Sequence, residues 1–143
     1  KELIHRRVFN SFTQQRMRML GYSLHKKMKI IPEFATGYIY LNKDELKEFC
    51  FQKGDTEGFV NYPLSIKGIR FAALFLERDG YIKISFRSVG AIPVNEIMAK
   101  HFSDYAHKNA AGGEEKNLSL DECIKKFEAI LPLYKDTLLH EED

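Results

Sequence analysis

The chain has 143 residues, of which 44% are hydrophobic and 29% charged, the balance of one globular domain with one core. Its 22 basic and 20 acidic residues leave a net charge of +2. That is too little for the footprint of a long duplex or polyanion, but enough for a short anionic ligand held by a few residues.

In chain order, Val8 to about Lys27 reads as a helix, with Phe9, Phe12, Met17, Leu20 and Leu24 on one face at helical spacing. Gly21 weakens it by roughly 1 kcal/mol relative to alanine, which a close helix contact would justify. Lys29 to Ile31 and Thr36 to Leu41 read as strands separated by Pro32, which cannot donate to a ladder. Asn42 with Glu45 forms a capping-box pattern for a short helix through Phe51. Lys53 to Gly58 is a polar turn, and Asp55 or Thr56 is placed to cap a helix carrying Phe59, Val60 and Leu64 inward.

Ile69 to Leu76 and Tyr81 to Ser88 form the clearest β-hairpin, with Gly80 suited to its turn. The first strand is apolar on both faces. In the second, Ile82, Ile84 and Phe86 alternate with a polar row of Tyr81, Lys83, Ser85 and Arg87. Val94 to Phe102 is an amphipathic helix. A loop from Ser103 to Gly113 follows, then a Ser119/Glu122 capping box and a last helix burying Cys123, Phe127 and Leu131. Pro132 should kink or break that helix. Cys50 and Cys123 both fall on apolar periodic faces, which predicts buried free thiols and fits a reducing compartment. No apolar run is long enough to span a bilayer and no signal-peptide pattern is present, so a cytoplasmic protein without a membrane partner is expected. Because the sequence starts at Lys1, a fragment or processed product is also expected.

The stretch richest in chemistry is His107-Lys108-Asn109-Ala110-Ala111-Gly112-Gly113. A titratable ring, an ammonium and a carboxamide precede small residues that let a ligand approach the backbone. Glycines at positive φ would expose successive N–H groups as a nest for an anion. The competing reading is a glycine-terminated turn with two exposed polar residues. No Asp-x-Asp pair, Asp-His-His triplet, Cys-x-x-Cys pair, phosphate loop or zinc-binding pattern occurs in the chain. These residues can therefore bind, but hold no local set for catalysis alone.

Gly54-Asp55-Thr56-Glu57-Gly58-Phe59-Val60-Asn61-Tyr62-Pro63-Leu64-Ser65-Ile66, Ile84-Ser85-Phe86-Arg87-Ser88 and His107 to Gly113 share an order and spacing that resembles the DHH-associated domain of subfamily-one type. That domain is the C-terminal lobe of DHH phosphoesterases, including oligoribonuclease and phosphoadenosine-phosphate phosphatase enzymes and proteins described as exopolyphosphatase-related. The chain departs from the family where Ser103-Asp104-Tyr105-Ala106 stand in place of a glycine run before the histidine.

The resemblance implies an α/β fold with a mixed central sheet flanked by helices. Residues 1–28 would be an N-terminal helix leading from a catalytic lobe outside this sequence, and residues 29–143 the substrate-binding domain. Arg87 and His107 would hold phosphate, with Lys108, Asn109, Gly112 and Gly113 lining the cradle and Glu57 and Asn61 lining the cleft. No cofactor is expected in this chain; manganese would sit in the N-terminal lobe. The expected partners are a short nucleotide or oligoribonucleotide phosphate and that lobe, with homodimerisation left open. The alternative is a non-catalytic RNA-binding module like the one appended to alanyl-tRNA synthetases.

Overall fold

The computed structural model describes residues 13–107 and 110–140, with the side chains of residues 103–107 left aside. Within these bounds the chain builds one six-stranded sheet between two layers of helices. Among the described residues the first helix is α1 (Gln14–Lys26), which starts where the Thr13 hydroxyl accepts from the Arg16 backbone N–H at 3.0 Å. It buries Met19, Leu20 and Ser23, whereas Met17 is 52% exposed, so of the expected face Leu20 is buried and Met17 is not, while Phe9 and Phe12 lie outside the described residues. A methyl added at Gly21 would have no neighbour within 4 Å, so no close helix contact explains this glycine.

Strands β1 (Met28–Ile31) and β2 (Thr36–Leu41) pair antiparallel, with Ile31 opposite Thr36. Pro32 opens a short 3-10 turn between them. Helix α2 (Lys43–Glu48) carries the expected reciprocal Asn42/Glu45 capping box. It ends three residues before Phe51. Cys50 adopts φ +53, donates its N–H to Lys47 O, and Phe51 N–H reaches back to Leu46 O at 2.9 Å. This is a Schellman closure with cysteine in the position glycine usually fills. Cys50 is consequently exposed rather than buried, while Cys123 is the buried thiol, its pKa pushed up to about 12 by burial.

Residues 42–70 form a crossover, because β3 (Phe71–Arg78) pairs parallel to β2. A 3-10 helix (Phe59–Ser65) lies within it. Its entry is Gly58 at φ 87, with no side-chain cap from Asp55 or Thr56. The turn comes so close to the sheet that a methyl on Gly37 would meet Pro63 Cβ at 2.9 Å. β3 and β4 (Tyr81–Ser88) form the expected hairpin, with Gly80 at φ 82. Helix α3 (Val94–His101) follows as expected.

Beyond α3 the structure departs from the expected loop. Ser103–His107 is strand β5 and Ala110–Glu115 is strand β6, paired to each other and, through β6, to β4. The strand order is β1-β2-β3-β4-β6-β5. The free edge of β4 supplies partners for the backbone of Ala110 to Glu115, and satisfying those groups outweighs the poor strand propensity of alanine and glycine. Helix α4 (Leu120–Ile130) starts on the Ser119/Glu122 capping box. Pro132 breaks the run into a 3-10 turn (Leu131–Tyr134) before the short α5 (Lys135–Leu139).

One sheet face packs on α3 and α4 around Phe127. Its ring lies 5.1 to 5.7 Å from those of Phe75, Phe71, Phe86 and Tyr38. The Tyr38 hydroxyl donates to Glu128 at 2.5 Å and Lys29 pairs with the same carboxylate at 3.0 Å. Burial would raise the Glu128 pKa, but these two bonds outweigh it and hold the carboxyl below its usual range. The opposite face buries Ile39, Leu41, Leu74 and Leu76 under α1, α2 and the 3-10 helix. There Glu45 accepts from the Tyr22 hydroxyl and pairs with Lys27 at 3.1 Å. The hydrogen bond to Glu45, then burial, pushes the Tyr22 pKa up to about 12.

Candidate functional site: a cationic cleft over the open half of the sheet

Beyond the helices that bury Ile39, Leu41, Leu74 and Leu76, the second sheet face opens into a cleft along β3 and β4. Alternation sends Tyr81, Lys83, Ser85 and Arg87 of β4 toward this open part, as expected from the sequence. They line a cleft of about 650 Å³ whose far wall is the crossover segment from Phe51 to Val60. That is within the usual range for small-molecule sites. Its floor is apolar, made by Val60, Leu74 and Leu76. Its rim carries Lys53, Arg78, Lys83 and Arg87 against one carboxylate, Glu57. The near-neutral chain thus gathers positive charge in one concave place, where low-dielectric walls strengthen attraction for an anion.

Arg87 is half-buried at the C-terminal end of β4, its Nη1 donating to Phe86 O at 2.8 Å. One guanidinium edge is thereby fixed, and the planar group keeps further donors for a bidentate anion contact.

The β4–β6 register completes the floor. Arg87 stands opposite Ala110, Ser85 opposite Gly112 and Lys83 opposite Glu114. Ala110 in turn pairs with His107 of β5, so Arg87, Ala110 and His107 form one cross-strand row. The two small residues leave the sheet surface low beside Arg87 and Ser85, the use glycine commonly has inside a strand.

The expected site residues therefore separate. Arg87 and Glu57 line the same cleft, whereas Gly112 and His107 are set beside it by register alone, opposite Ser85 and in the Arg87 row. Gly113 pairs with Ile84 and is buried on the helix-packed face, away from Arg87. Asn61 is exposed in a smaller cleft of about 280 Å³ with Tyr62 and Leu20, on the other side of the Glu57–Gly58 turn. Lys108 and Asn109 lie outside the described residues. The expected nest of positive-φ glycines is not formed by Gly112 and Gly113, whose backbone is extended in β6. The glycines at positive φ among the described residues are 54, 58, 68, 80 and 90. Gly54 and Gly58 bracket the cleft wall, and the Glu57 carbonyl accepts from Arg16 Nη2 at 3.0 Å, which ties α1 to the rim.

Lys53 and Arg78 were not expected in the site. Arg78 ends a strand and Lys53 sits in a turn, and only the crossover brings them to one cleft. Among the described residues no group of three or more His, Cys, Asp or Glu could hold a metal ion, and no helix is long and apolar enough to cross a membrane.

Comparison with known proteins identifies the family and the fold. The DHHA1 domain model matches residues 36–132. The bifunctional oligoribonuclease and PAP phosphatase NrnA of Bacillus subtilis is 29% identical over 82 residues, covering 57% of this chain and 26% of that protein. The crystal structure of an exopolyphosphatase-related protein from Bacteroides fragilis superposes with a TM-score of 0.89 at 41% identity, over 97% of this chain and 40% of that one. A pGpG-specific phosphodiesterase, PggH from Vibrio cholerae, shares the fold with a TM-score of 0.59 at 11% identity, over 84% of this chain and 39% of that one. The chain thus spans well under half the length of each.

Proposed function

This chain belongs to the DHHA1 domain family, and on that premise we propose that it is the substrate-binding lobe of a phosphoesterase acting on short nucleotides. The observation that carries the reading is the cleft itself. Four cations face one carboxylate around an apolar floor, which suits a ligand with an anionic backbone and flat apolar bases. The named relatives act on oligoribonucleotides, PAP and pGpG, and short oligoribonucleotides, phosphoadenosine phosphate or cyclic dinucleotides are the substrates proposed here.

In this reading Arg87 holds a phosphate through its plane, while Ser85 offers a hydroxyl beside it. Lys83 and Lys53 contribute charge from the rim. His107, Lys108 and Asn109 are proposed as further phosphate contacts. Gly112 gives the ligand room to approach the backbone. The lobe holds and orients; holding a reactant in place supplies a large part of many barriers. Bond cleavage belongs to a second, N-terminal lobe outside this sequence. Manganese bound there would activate water and stabilise the leaving oxygen. No residue of this chain forms a comparable ligand group among those described.

The test is calorimetric titration of a short adenylate, and separately of adenosine, into the full-length protein and its Arg87→Ala variant. Hydrogen bonds to charged groups contribute roughly 1.5–3 kcal/mol each. The variant should lose about that much for the adenylate and almost nothing for adenosine. Equal weakening of both ligands would refute a phosphate role for Arg87.

A further inference from the structure

A second cleft of about 570 Å³ lies beside the first, under α2, with Lys43, Lys47 and Cys50 on one side and Glu77, Arg78 and Asp79 on the other. The two clefts share Phe51, Gln52 and Arg78, so they meet at that point. They differ in charge. The first is strongly positive, whereas in the second Lys43, Lys47 and Arg78 are matched by Asp44, Glu77 and Asp79. Glu77 is already engaged by the Lys43 backbone N–H at 3.0 Å. The second cleft is thus a poor place for a phosphate and the junction needs another role.

At the junction the Arg78 guanidinium carbon lies over the Phe51 ring, 4.7 Å from its centre. Phe51 is held from below. Its N–H closes α2 on Leu46, and its ring packs against the core on that face. A ring fixed in this way orients the guanidinium above it, and Arg78 is left half-buried with both clefts against it. A guanidinium plane supported by an aromatic ring is a surface on which a nucleobase stacks. Arg78 pairs with Tyr81 and Ala72 with Arg87. The Arg78 and Arg87 positions are therefore roughly 20 Å apart along the strands, beyond the base carried by the phosphate that Arg87 holds.

We propose that Phe51 and Arg78 form a base-stacking platform at the end of the cleft distant from Arg87, which takes the second nucleoside of a short oligonucleotide. The proposal rests on the nucleotide-binding reading above and adds two specificity residues to it. Stacking needs a plane, so charge alone will not replace Arg78. Lysine keeps the charge and loses the surface.

Fluorescence or calorimetric titration of the full-length protein with AMP, with the diadenylate pApA, and with a pApA analogue lacking its second base would test this. Base stacking in single-strand binders corresponds to about five- to 150-fold in affinity. Arg78→Lys and Phe51→Leu should each weaken pApA within that range and leave AMP within about twofold. Wild-type protein should show the same loss when the second base is removed, which needs no altered fold. If wild-type protein binds both ligands but Arg78→Lys weakens neither, or both equally, the platform is wrong while the nucleotide reading stands. If wild-type protein binds none of the three, both readings fall.

Discussion

Ser85 stands directly opposite Gly112 across the β4–β6 ladder. A hydroxyl on one strand thus faces a residue without a side chain on the next, in the row beside Arg87 and Ala110. A larger side chain at Gly112 would rise into the space a ligand backbone needs. Extended backbone accepts any residue, and valine is favoured in strands. Gly112→Val should therefore lower affinity for a short adenylate at least about tenfold, or 1.4 kcal/mol, without lowering the melting temperature. Titration beside a thermal melt decides. Unchanged affinity would show that the ligand does not cross this part of the sheet.

Gly21 offers a test of stability alone. It lies inside α1, exposed, and a methyl there meets nothing within 4 Å. Alanine in its place should stabilise the protein by roughly 0.5–1 kcal/mol, because glycine loses more backbone freedom on folding. A thermal or urea melt would show a higher midpoint. No gain would mean the first turns of α1 are already frayed in the folded state.

Cys50 offers the reverse test. At φ +53 it occupies the left-handed C′ position of α2, where a side chain costs roughly 1–2 kcal/mol. Cys50→Gly should raise the unfolding midpoint, and Cys50→Val, branched at Cβ, should lower it. The two changes moving the midpoint in the same direction would contradict the Schellman closure.

His101 gives a pH signature. Its Nε2 lies 2.8 Å from the Tyr134 hydroxyl, and the two rings meet edge to face. Burial, then Lys100 and Lys126, lower its pKa below the ordinary 6.5. The unfolded chain therefore takes up a proton that the folded chain resists, so stability falls as pH falls through and below about 6.5. His101→Gln removes the titration and keeps a polar partner for Tyr134. Wild type should lose more stability than the variant between about pH 7 and pH 5. Parallel curves would show that the ring is not protected.

Much of this architecture is legible in the sequence because it rests on local chemistry. The Asn42/Glu45 and Ser119/Glu122 boxes, the β3–β4 alternation and the Pro132 break each sit within a few residues. Arg87 is legible in the same way, since strand alternation alone puts it at the end of a polar row. The β5–β6 hairpin is not, because Ala-Ala-Gly-Gly has little strand propensity and pairs only when β4 offers an edge. Asp104 and Tyr105 then belong to a strand, opposite Gly113 and Gly112, instead of to the expected loop. Replacing Asp104-Tyr105-Ala106 with glycines would loosen that edge strand before it opened any cleft. Lys53 and Arg78 escape a sequence reading for a third reason: a long crossover brings them together, and no local pattern records it.

The parallel pairing of β2 and β3 has a kinetic consequence. Thr36 cannot meet Phe71 until residues 42–70 have been gathered between them, and the entropy lost in closing that loop must be offset at once by contacts along both strands. The same segment carries the wall that stands over Leu74 and Leu76. Floor and wall are thus assembled in one event, so a change that delays the crossover delays the appearance of a competent binding surface by the same interval, even if the final structure is unaltered.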